Sequence, residues 1–173
     1  IGSINNFFLI FTYIGKNLLA HMTNNIDNRT VARLDLKRYM GKWYEIARFN
    51  HRFERGMDGV TAEYSLREDG KIKVLNRGWK KGAWHLIKGK AKLPDKSQPG
   101  KLRVSFFPFI YSDYYVMELD EEHYSYAIVG SSSDKYLWIL SRTKELSGNL
   151  LTDLLTRIRE RGYDTEKLIF VIQ

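Results

Sequence analysis

The sequence predicts an all-β fold, an eight-stranded antiparallel up-and-down barrel with one C-terminal α-helix packed against its outside. Three observations predict it. Short segments of alternating apolar and polar residues follow one another between residues 43 and 142, turn-forming residues separate them, and one amphipathic helical pattern follows. Consecutive strands joined by short turns form a meander, and eight of them can close into a barrel, which removes exposed sheet edges.

Eight segments have the period-two alternation of half-buried strands. They are residues 43–49, 60–66, 72–76, 85–91, 102–106, 114–118, 127–129 and 136–142. The turn signals between them include Asp69-Gly70, Lys81-Gly82, Pro94, Pro99-Gly100, Pro108 and the run 131–134. A last short strand is predicted at residues 168–172, after the helix.

The helix is predicted over residues 147–161. Ser147 is a favourable N-cap residue, and Gly162 is a favourable stop. One apolar stripe runs along the pattern, consisting of Leu150, Leu151, Leu154, Leu155 and Ile158. A helix with a single apolar stripe needs one surface to cover, so we expect it to pack against the outside of the barrel.

Residues 1–35 form an N-terminal extension to a barrel domain at residues 36–173. The extension contains an apolar run at 7–14, too short to span a bilayer, and a polar stretch at 24–33 that looks like a linker. Three interpretations of the first part remain open. It is an atypical export signal, a peripheral anchor or hydrophobic flap, or residues upstream of a true start at Met22.

Composition narrows the possible functions. The 173 residues include no cysteine, which excludes thiolate metal sites and catalytic thiols within this sequence. The net charge is +8, and residues 71–103 carry eleven Lys or Arg residues but a single acid, Asp95. A basic segment fits nucleic acid, anionic lipid or plain solubility. Nucleic acid is disfavoured because the oligonucleotide-binding barrel has five strands rather than eight.

No catalytic or cofactor motif is evident. The four histidines, His21, His51, His85 and His123, do not have metal-ligand spacing. No glycine-rich phosphate loop precedes a helix, and no G-x-S-x-G elbow is present. We therefore expect no metal, no cofactor and no enzymatic activity.

Three motifs carry a family resemblance. Gly41-Lys42-Trp43 opens the first strand, Asp113-Tyr114 begins the sixth, and Arg142 closes the eighth. In this order, followed by a helix, they resemble the lipocalin family, and in particular its bacterial and apolipoprotein D-like branch, over about residues 36–172. The resemblance implies that Gly41, Trp43 and Arg142 are structural. The indole and the guanidinium can stack by cation–π attraction and close one end of the barrel.

The resemblance also implies a function. It implies binding, storage or transport of small amphiphilic lipids such as fatty acids and lysophospholipids, with a role in membrane maintenance or stress response. The alternative is an enzyme of the same fold that acts on a lipid. The expected partners are the lipid and an anionic membrane surface, and the expected state is a monomer or homodimer. The cell envelope is the expected location, without a cysteine-linked anchor, and the cytoplasm is the alternative.

Alternation predicts which residues face the barrel interior. The predicted cavity residues are Ala47, Ala62, Tyr64, Val74, Asn76, Ile87, Gly89, Val104, Phe106, Tyr114, Val116, Tyr136 and Trp138. His85 is also predicted to point inward. Several of these residues are small, which favours a hollow over a packed interior. The same alternation turns the side chains of Glu45 and Glu118 inward, and Arg142 is the expected partner of Glu45.

The odd-numbered connections are predicted to surround the mouth of the barrel. They bring together cations and aromatic residues, namely Arg52, Phe53, Arg55, Trp79, Lys80, Lys81 and Phe109. This combination suits a lipid with an anionic headgroup, whose tail enters the barrel while the headgroup meets a cation.

Overall fold

The structure of the protein, a computed structural model, describes residues 26–52 and 54–173. The elements are α1 (Leu36–Tyr39), β1 (Gly41–Phe49), β2 (Asp58–Leu66), β3 (Ile72–Lys80), β4 (Ala83–Lys92), β5 (Lys101–Phe107), β6 (Ile110–Leu119), β7 (Tyr126–Gly130), β8 (Leu137–Ser141), α2 (Gly148–Glu160), a 3₁₀ turn (Thr165–Lys167) and β9 (Leu168–Phe170). Strand β1 pairs with both β2 and β8, so the first eight strands close into a barrel. The predicted fold class is confirmed.

Helix α2 packs against the outside of this barrel. The Ser147 hydroxyl accepts a hydrogen bond from the backbone N–H of Leu150, and Gly162 follows the helix with φ of 86°. Leu154 and Ile158 are fully buried against apolar side chains of the sheet. Burying an aliphatic side chain of this size contributes about 1.5–3 kcal/mol, so this stripe fixes the helix on the sheet.

A β-bulge in β1 decides which residues of that strand face the interior. Against β8, Glu45 pairs with Leu140 and Ala47 with Ile139, so Ile46 is an extra residue. One extra residue reverses the alternation beyond it. Ala47 therefore faces outward, in the core beneath α2, and the prediction that it lines the cavity is wrong.

A second bulge has the same effect in β6. Val116 pairs with Val129 and Glu118 with Ile128, which leaves Met117 as the extra residue. The prediction that Glu118 points inward is therefore wrong. Its carboxylate lies outside the barrel and accepts hydrogen bonds of 2.9 and 2.6 Å from the Arg161 guanidinium, just after α2.

Trp43 and Arg142 close one end of the barrel. The Arg142 guanidinium carbon lies 3.8 Å from the centre of the Trp43 ring, and the indole nitrogen donates to the Tyr39 carbonyl at 2.9 Å. Arg142 also donates to the carbonyl oxygens of Arg38, Tyr39, Lys42 and Tyr124. Gly41 has φ of 95°, and a Cβ there would lie 3.3 Å from Arg142 Nη1. Glycine therefore suits both the backbone conformation and the space.

Residues 26–35 lie against the barrel instead of forming a free linker. The backbone N–H of Asp27 donates to the Arg161 carbonyl at 2.8 Å, and that of Val31 donates to the Val116 carbonyl at 3.0 Å. Val31 and Leu34 pack on the core at the closed end. The apolar run at 7–14 lies outside the described residues.

Among residues 26–52 and 54–173, no helix has the length and apolar character needed to cross a membrane.

Candidate functional site

A cavity of about 480 Å³ lies inside the barrel, above the closed end. Its walls come from both halves of the sheet and are mostly apolar or aromatic. Ten of the predicted cavity residues line it, namely Ala62, Tyr64, Val74, Asn76, Ile87, Val104, Phe106, Tyr114, Tyr136 and Trp138. The volume is within the range of small-molecule pockets, and the apolar lining suits a hydrocarbon chain.

Three predicted cavity residues do not line the hollow. Ala47 faces α2 because of the bulge in β1. Gly89 leaves no open space, since a Cβ there would lie 2.7 Å from the Phe106 ring, which covers the position. Val116 points inward but is fully buried in the packed core beneath the cavity.

A charged cluster in the cavity wall was missed at the sequence level. The bulge turns Arg48 inward, where it donates to Glu45 Oε1 at 2.7 Å and to the Glu54 carbonyl at 2.7 Å. Glu45 is therefore paired with Arg48, and not with Arg142 as predicted. Glu54 Oε2 lies 2.7 Å from His51 Nε2 and accepts from the Trp138 indole at 3.1 Å. Glu45, His51, Glu54 and Trp138 all line the cavity.

The two carboxyl groups of this cluster have opposite pKa shifts. Burial, together with the neighbouring Glu54 carboxylate, raises the pKa of Glu45 well above its ordinary value. Burial also acts to raise the pKa of Glu54, but the hydrogen bonds from His51 and Trp138 and the charge of Arg48 outweigh it and lower that pKa. A buried group next to a like charge is harder to ionise, so the surroundings of Glu45 favour its neutral form while those of Glu54 favour its charged form.

Three tyrosine hydroxyls meet at the floor of the cavity. Tyr114 Oη lies 2.8 Å from Tyr39 Oη and 2.9 Å from Tyr64 Oη. Burial raises the pKa of all three phenols, so they are neutral hydrogen-bonding groups at physiological pH. Tyr64 and Tyr114 line the cavity, and Tyr39 lies below them.

None of the predicted mouth residues that the structure describes lines the cavity. Arg52, Arg55 and Lys81 are exposed, and Lys80 is partly exposed in the β3–β4 hairpin. The Trp79 ring packs edge-on against Trp84, and the Phe109 side chain is 96% exposed. Phe53 lies outside the described residues.

The pairing of β4 explains why the residues of the β3–β4 hairpin lie outside the cavity. Strand β4 pairs with β3 along its length but with β5 only from Lys90↔Ser105 to Lys92↔Arg103. The tip of the β3–β4 hairpin therefore extends beyond the part of the barrel that encloses the cavity. His85 lines the cavity from this open region but is exposed, and not part of the core.

The arginines among the lining residues are Arg77 and Arg103. Arg77 lies over the Trp84 ring, with 3.9 Å between the guanidinium carbon and the ring centre. Arg103 donates to the Tyr111 carbonyl at 3.0 Å and lies 3.6 Å from the Asp113 carboxylate. Sequence reasoning missed both, because alternation places them outside, whereas they lie at the rim of the opening.

A second depression, of about 660 Å³, lies outside the closed end. Most of its lining residues are polar, and some of them pair with one another, such as Arg33 with Glu121 at 2.8 Å. It does not offer the enclosed apolar surface of the interior cavity, which is therefore the candidate site.

Comparison with known proteins agrees with this geometry. The model of the Lipocalin-like domain family matches residues 34–173. The chain belongs to the lipocalin family. Its members bind small hydrophobic ligands, and the family predicted from the three sequence motifs is confirmed.

Relatives of this lipocalin include bacterial and animal proteins. It is 45% identical over 168 residues to the outer membrane lipoprotein Blc of Vibrio cholerae, covering 96% of this chain and 97% of that protein. It is 36% identical to apolipoprotein D of Mus musculus, covering 78% and 74%. Among solved structures, insecticyanin of the tobacco hornworm Manduca sexta superposes with a TM-score of 0.71 at 26% identity, covering 85% of each chain.

Within the part of the lipocalin that the structure describes, no group of three or more His, Cys, Asp or Glu residues is arranged to hold a metal ion.

Proposed function

We propose that this lipocalin binds small amphiphilic lipids, such as fatty acids and lysophospholipids, for storage or transport. The observation that carries the proposal is the 480 Å³ cavity, whose lining is mostly apolar or aromatic, with arginines beside its opening. A hydrocarbon chain gains about 0.8 kcal/mol for each methylene that it buries, so such a cavity favours a tail-first orientation.

Lipid extraction and mass spectrometry of the purified protein test this proposal. We expect fatty acids or lysophospholipids to accompany the protein, and a fluorescent fatty acid to bind and be displaced by them. The proposal is wrong if the protein carries no lipid and the probe fails to bind after delipidation.

The rim arginines are the proposed contacts for an anionic headgroup. Arg77 and Arg103 line the cavity near its opening, where a carboxylate or phosphate on an inserted chain would lie. Charge-assisted hydrogen bonds to a carboxylate are about twice as strong as neutral ones. We expect the Arg77→Gln, Arg103→Gln variant to bind a fatty acid about tenfold more weakly, with little effect on the methyl ester. Equal weakening of acid and ester in a titration would contradict this.

A membrane surface is the proposed docking partner of the mouth. The hairpin tips expose Trp84, Phe107, Phe109 and Ile110, at 51, 56, 96 and 64% of their surface. Lys80 and Lys81 lie in the same β3–β4 hairpin. Aromatic residues favour the membrane interface, and each basic residue near an anionic surface contributes about 1 kcal/mol.

Reversing the charge of Arg52, Arg55, Lys80 and Lys81 should lower partitioning into anionic phospholipid vesicles by at least about tenfold. The matched control reverses Lys37, Lys73, Lys96 and Lys144, which are exposed away from the mouth. Cosedimentation with vesicles at low and moderate salt measures the effect. Equal losses in both variants would mean that net charge alone, and not this surface, drives the association.

A lipid-modifying enzyme is the second candidate. The observation that favours it is the cluster of Glu45, His51 and Glu54, because adjacent carboxyl groups with opposite pKa shifts are a common acid–base arrangement. We prefer the binding function because Arg48 holds Glu45, and His51 and Trp138 hold Glu54. An enzyme would convert an added lipid into a product that chromatography coupled to mass spectrometry separates from it, whereas a carrier returns the lipid unchanged.

The proposed location is the cell envelope, in the periplasm or at the outer membrane, with the cytoplasm as the alternative. The support is the outer membrane lipoprotein that the chain matches over nearly its full length. A lipid carrier there would serve membrane maintenance or a stress response.

A further inference from the structure

Hydrogen-bonding capacity remains unused at the floor of the cavity. Tyr39, Tyr64 and Tyr114 possess three O–H donors, but only two hydrogen bonds connect them. No other hydrogen bond from these hydroxyls is present among the described residues. One hydroxyl proton is therefore left without an acceptor. The two hydrogen bonds can be oriented in three ways, and in two of them that proton is on Tyr64 or Tyr114, the two tyrosines of the group that line the cavity.

Asn76 adds an acceptor in the same wall. Its Oδ1 is buried and has no hydrogen-bond partner among the described residues, and Asn76 lines the cavity. Leaving a buried polar group without a partner costs about 1–3 kcal/mol. The Asn76 amide therefore lowers the stability of the barrel unless a group inside the cavity donates a hydrogen bond to its oxygen.

The donor and the acceptor lie close together on the sheet. Tyr64 pairs with Val74, and Ala62 pairs with Asn76, so Tyr64 and Asn76 are diagonal neighbours on the inner face of β2 and β3. Diagonal neighbours have Cα atoms about 7–8 Å apart, within reach of a long aromatic side chain. A single ligand atom between them can accept from a tyrosine hydroxyl and donate to the amide oxygen.

We infer that this floor site binds a hydroxyl group on the hydrocarbon chain of the ligand, so that the cavity is selective for chain-hydroxylated fatty acids or lipids derived from them. A hydroxyl is the small group that accepts and donates at once, as the unused tyrosine proton and the Asn76 oxygen require. A ketone would satisfy the tyrosine alone. The inference rests on the proposed function, because it assigns part of the ligand to a position in the same cavity.

The distance from the opening indicates where on the chain the hydroxyl lies. Tyr64 is six residues after Asp58, the first residue of β2. Because β2 has an extra residue between Asp58 and Thr61, this span matches only five residues of β3, from Trp79 to Val74. Five residues rise about 17 Å, and a strand tilt of about 40° reduces this to roughly 13 Å along the barrel axis, the length of an extended chain of about eleven carbons. A carboxylate held at the opening therefore brings a hydroxyl near the twelfth carbon to the floor site. Because the packed core lies beneath this floor, we expect the remaining carbons of a longer chain to turn back into the cavity.

Three ligands of equal length test the inference by competition with a fluorescent fatty acid. They are stearate, 12-hydroxystearate and 2-hydroxystearate. We expect the wild-type protein to bind 12-hydroxystearate about fivefold more tightly than stearate, because a net hydrogen bond is worth about that factor. The 2-hydroxy isomer places its hydroxyl at the opening and should gain nothing.

Two variants remove the floor site while keeping the size of its side chains. Asn76→Leu removes the acceptor, and the Tyr64→Phe, Tyr114→Phe double variant removes the hydroxyls that line the cavity. In both, the preference should reverse, with 12-hydroxystearate binding more weakly than stearate and the affinity ratio changing by at least about tenfold. Tyr44→Phe, Tyr126→Phe is the matched control, since both tyrosines lie on the outside of the barrel and should leave the ratio unchanged.

The outcomes separate the inference from the proposed function. Stearate binding in each variant establishes that the protein is folded and that the cavity is intact. Stearate binding with the same ratio of 12-hydroxystearate to stearate affinity in the wild type and the variants would mean that water satisfies the tyrosine and asparagine groups. That result overturns the selectivity for hydroxylated chains but leaves the proposed lipid binding standing. If none of the three ligands binds to the delipidated wild-type protein, the selectivity and the proposed lipid-binding function are both overturned.

Discussion

Replacing Trp43 with alanine should lower the free energy of unfolding by about 4 kcal/mol, the largest stability effect that we expect from one substitution. Trp43 is fully buried, and a buried tryptophan replaced by alanine typically costs 3–5 kcal/mol. The change also removes the ring beneath the Arg142 guanidinium. Arg142 keeps its backbone carbonyl partners, so the loss comes mainly from the cavity left behind and the missing cation–π contact.

Urea unfolding followed by circular dichroism measures this effect. Trp84→Ala is the matched control, because Trp84 is half exposed and its loss should cost about half as much or less. Trp43 does not line the cavity, so the fraction of Trp43→Ala that remains folded should still bind lipid. Similar losses in the two variants would show that the closed end does not depend on this indole.

Filling the cavity should abolish lipid binding without unfolding the barrel. Ala62 lines the hollow on β2, between Trp43 of β1 and Asn76 of β3. A phenylalanine there would project a ring into the space that a hydrocarbon chain needs. We expect the Ala62→Phe variant to bind a fluorescent fatty acid at least about tenfold more weakly, a change of about 1.4 kcal/mol or more.

The control for this experiment is Ala83→Phe, the same substitution at an exposed position in the β3–β4 hairpin. Thermal unfolding should show that both variants remain folded, because the new ring in Ala62→Phe enters empty space instead of a packed core. Unchanged affinity in Ala62→Phe would mean that the ligand does not occupy this cavity.

Regular alternation and turn chemistry were sufficient to predict the barrel. The eight segments between residues 43 and 142 all correspond to strands, although most strands extend beyond the predicted bounds. The helix begins after Ser147 as predicted and ends one residue earlier than predicted. These elements depend on local patterns, namely side-chain periodicity, an N-cap and a glycine stop, which the sequence contains directly.

The bulges could not be predicted, because their cause is not local. Ile46 and Met117 are ordinary apolar residues, and each is accommodated in the core beneath α2. That core exists only once the helix packs on the closed barrel. Strict alternation therefore assigned Ala47 and Glu118 to the interior and missed Arg48, which shows how one inserted residue changes the chemistry of a cavity wall.

The position of the predicted mouth cations relative to the cavity could not be predicted from the sequence. Chain order correctly groups Arg52, Arg55, Lys80 and Lys81 near one end, but it does not give the length over which neighbouring strands pair. Because β4 and β5 pair over a short stretch only, the cavity opens beside Arg77 and Arg103. Whether these arginines or the outer cations meet the headgroup stays a prediction.

The four tryptophans of this lipocalin have three distinct surroundings, which gives the protein an intrinsic optical reporter. Trp43 is sealed from solvent, Trp79 and Trp84 contact each other in the outer hairpin, and Trp138 lines the hollow with its indole N–H on Glu54. An occupant of the barrel would change the polarity around Trp138, the tryptophan that lines the cavity. Its emission therefore offers a label-free signal of loading, which replacing Trp79 and Trp84 with phenylalanine would isolate while keeping the buried Trp43.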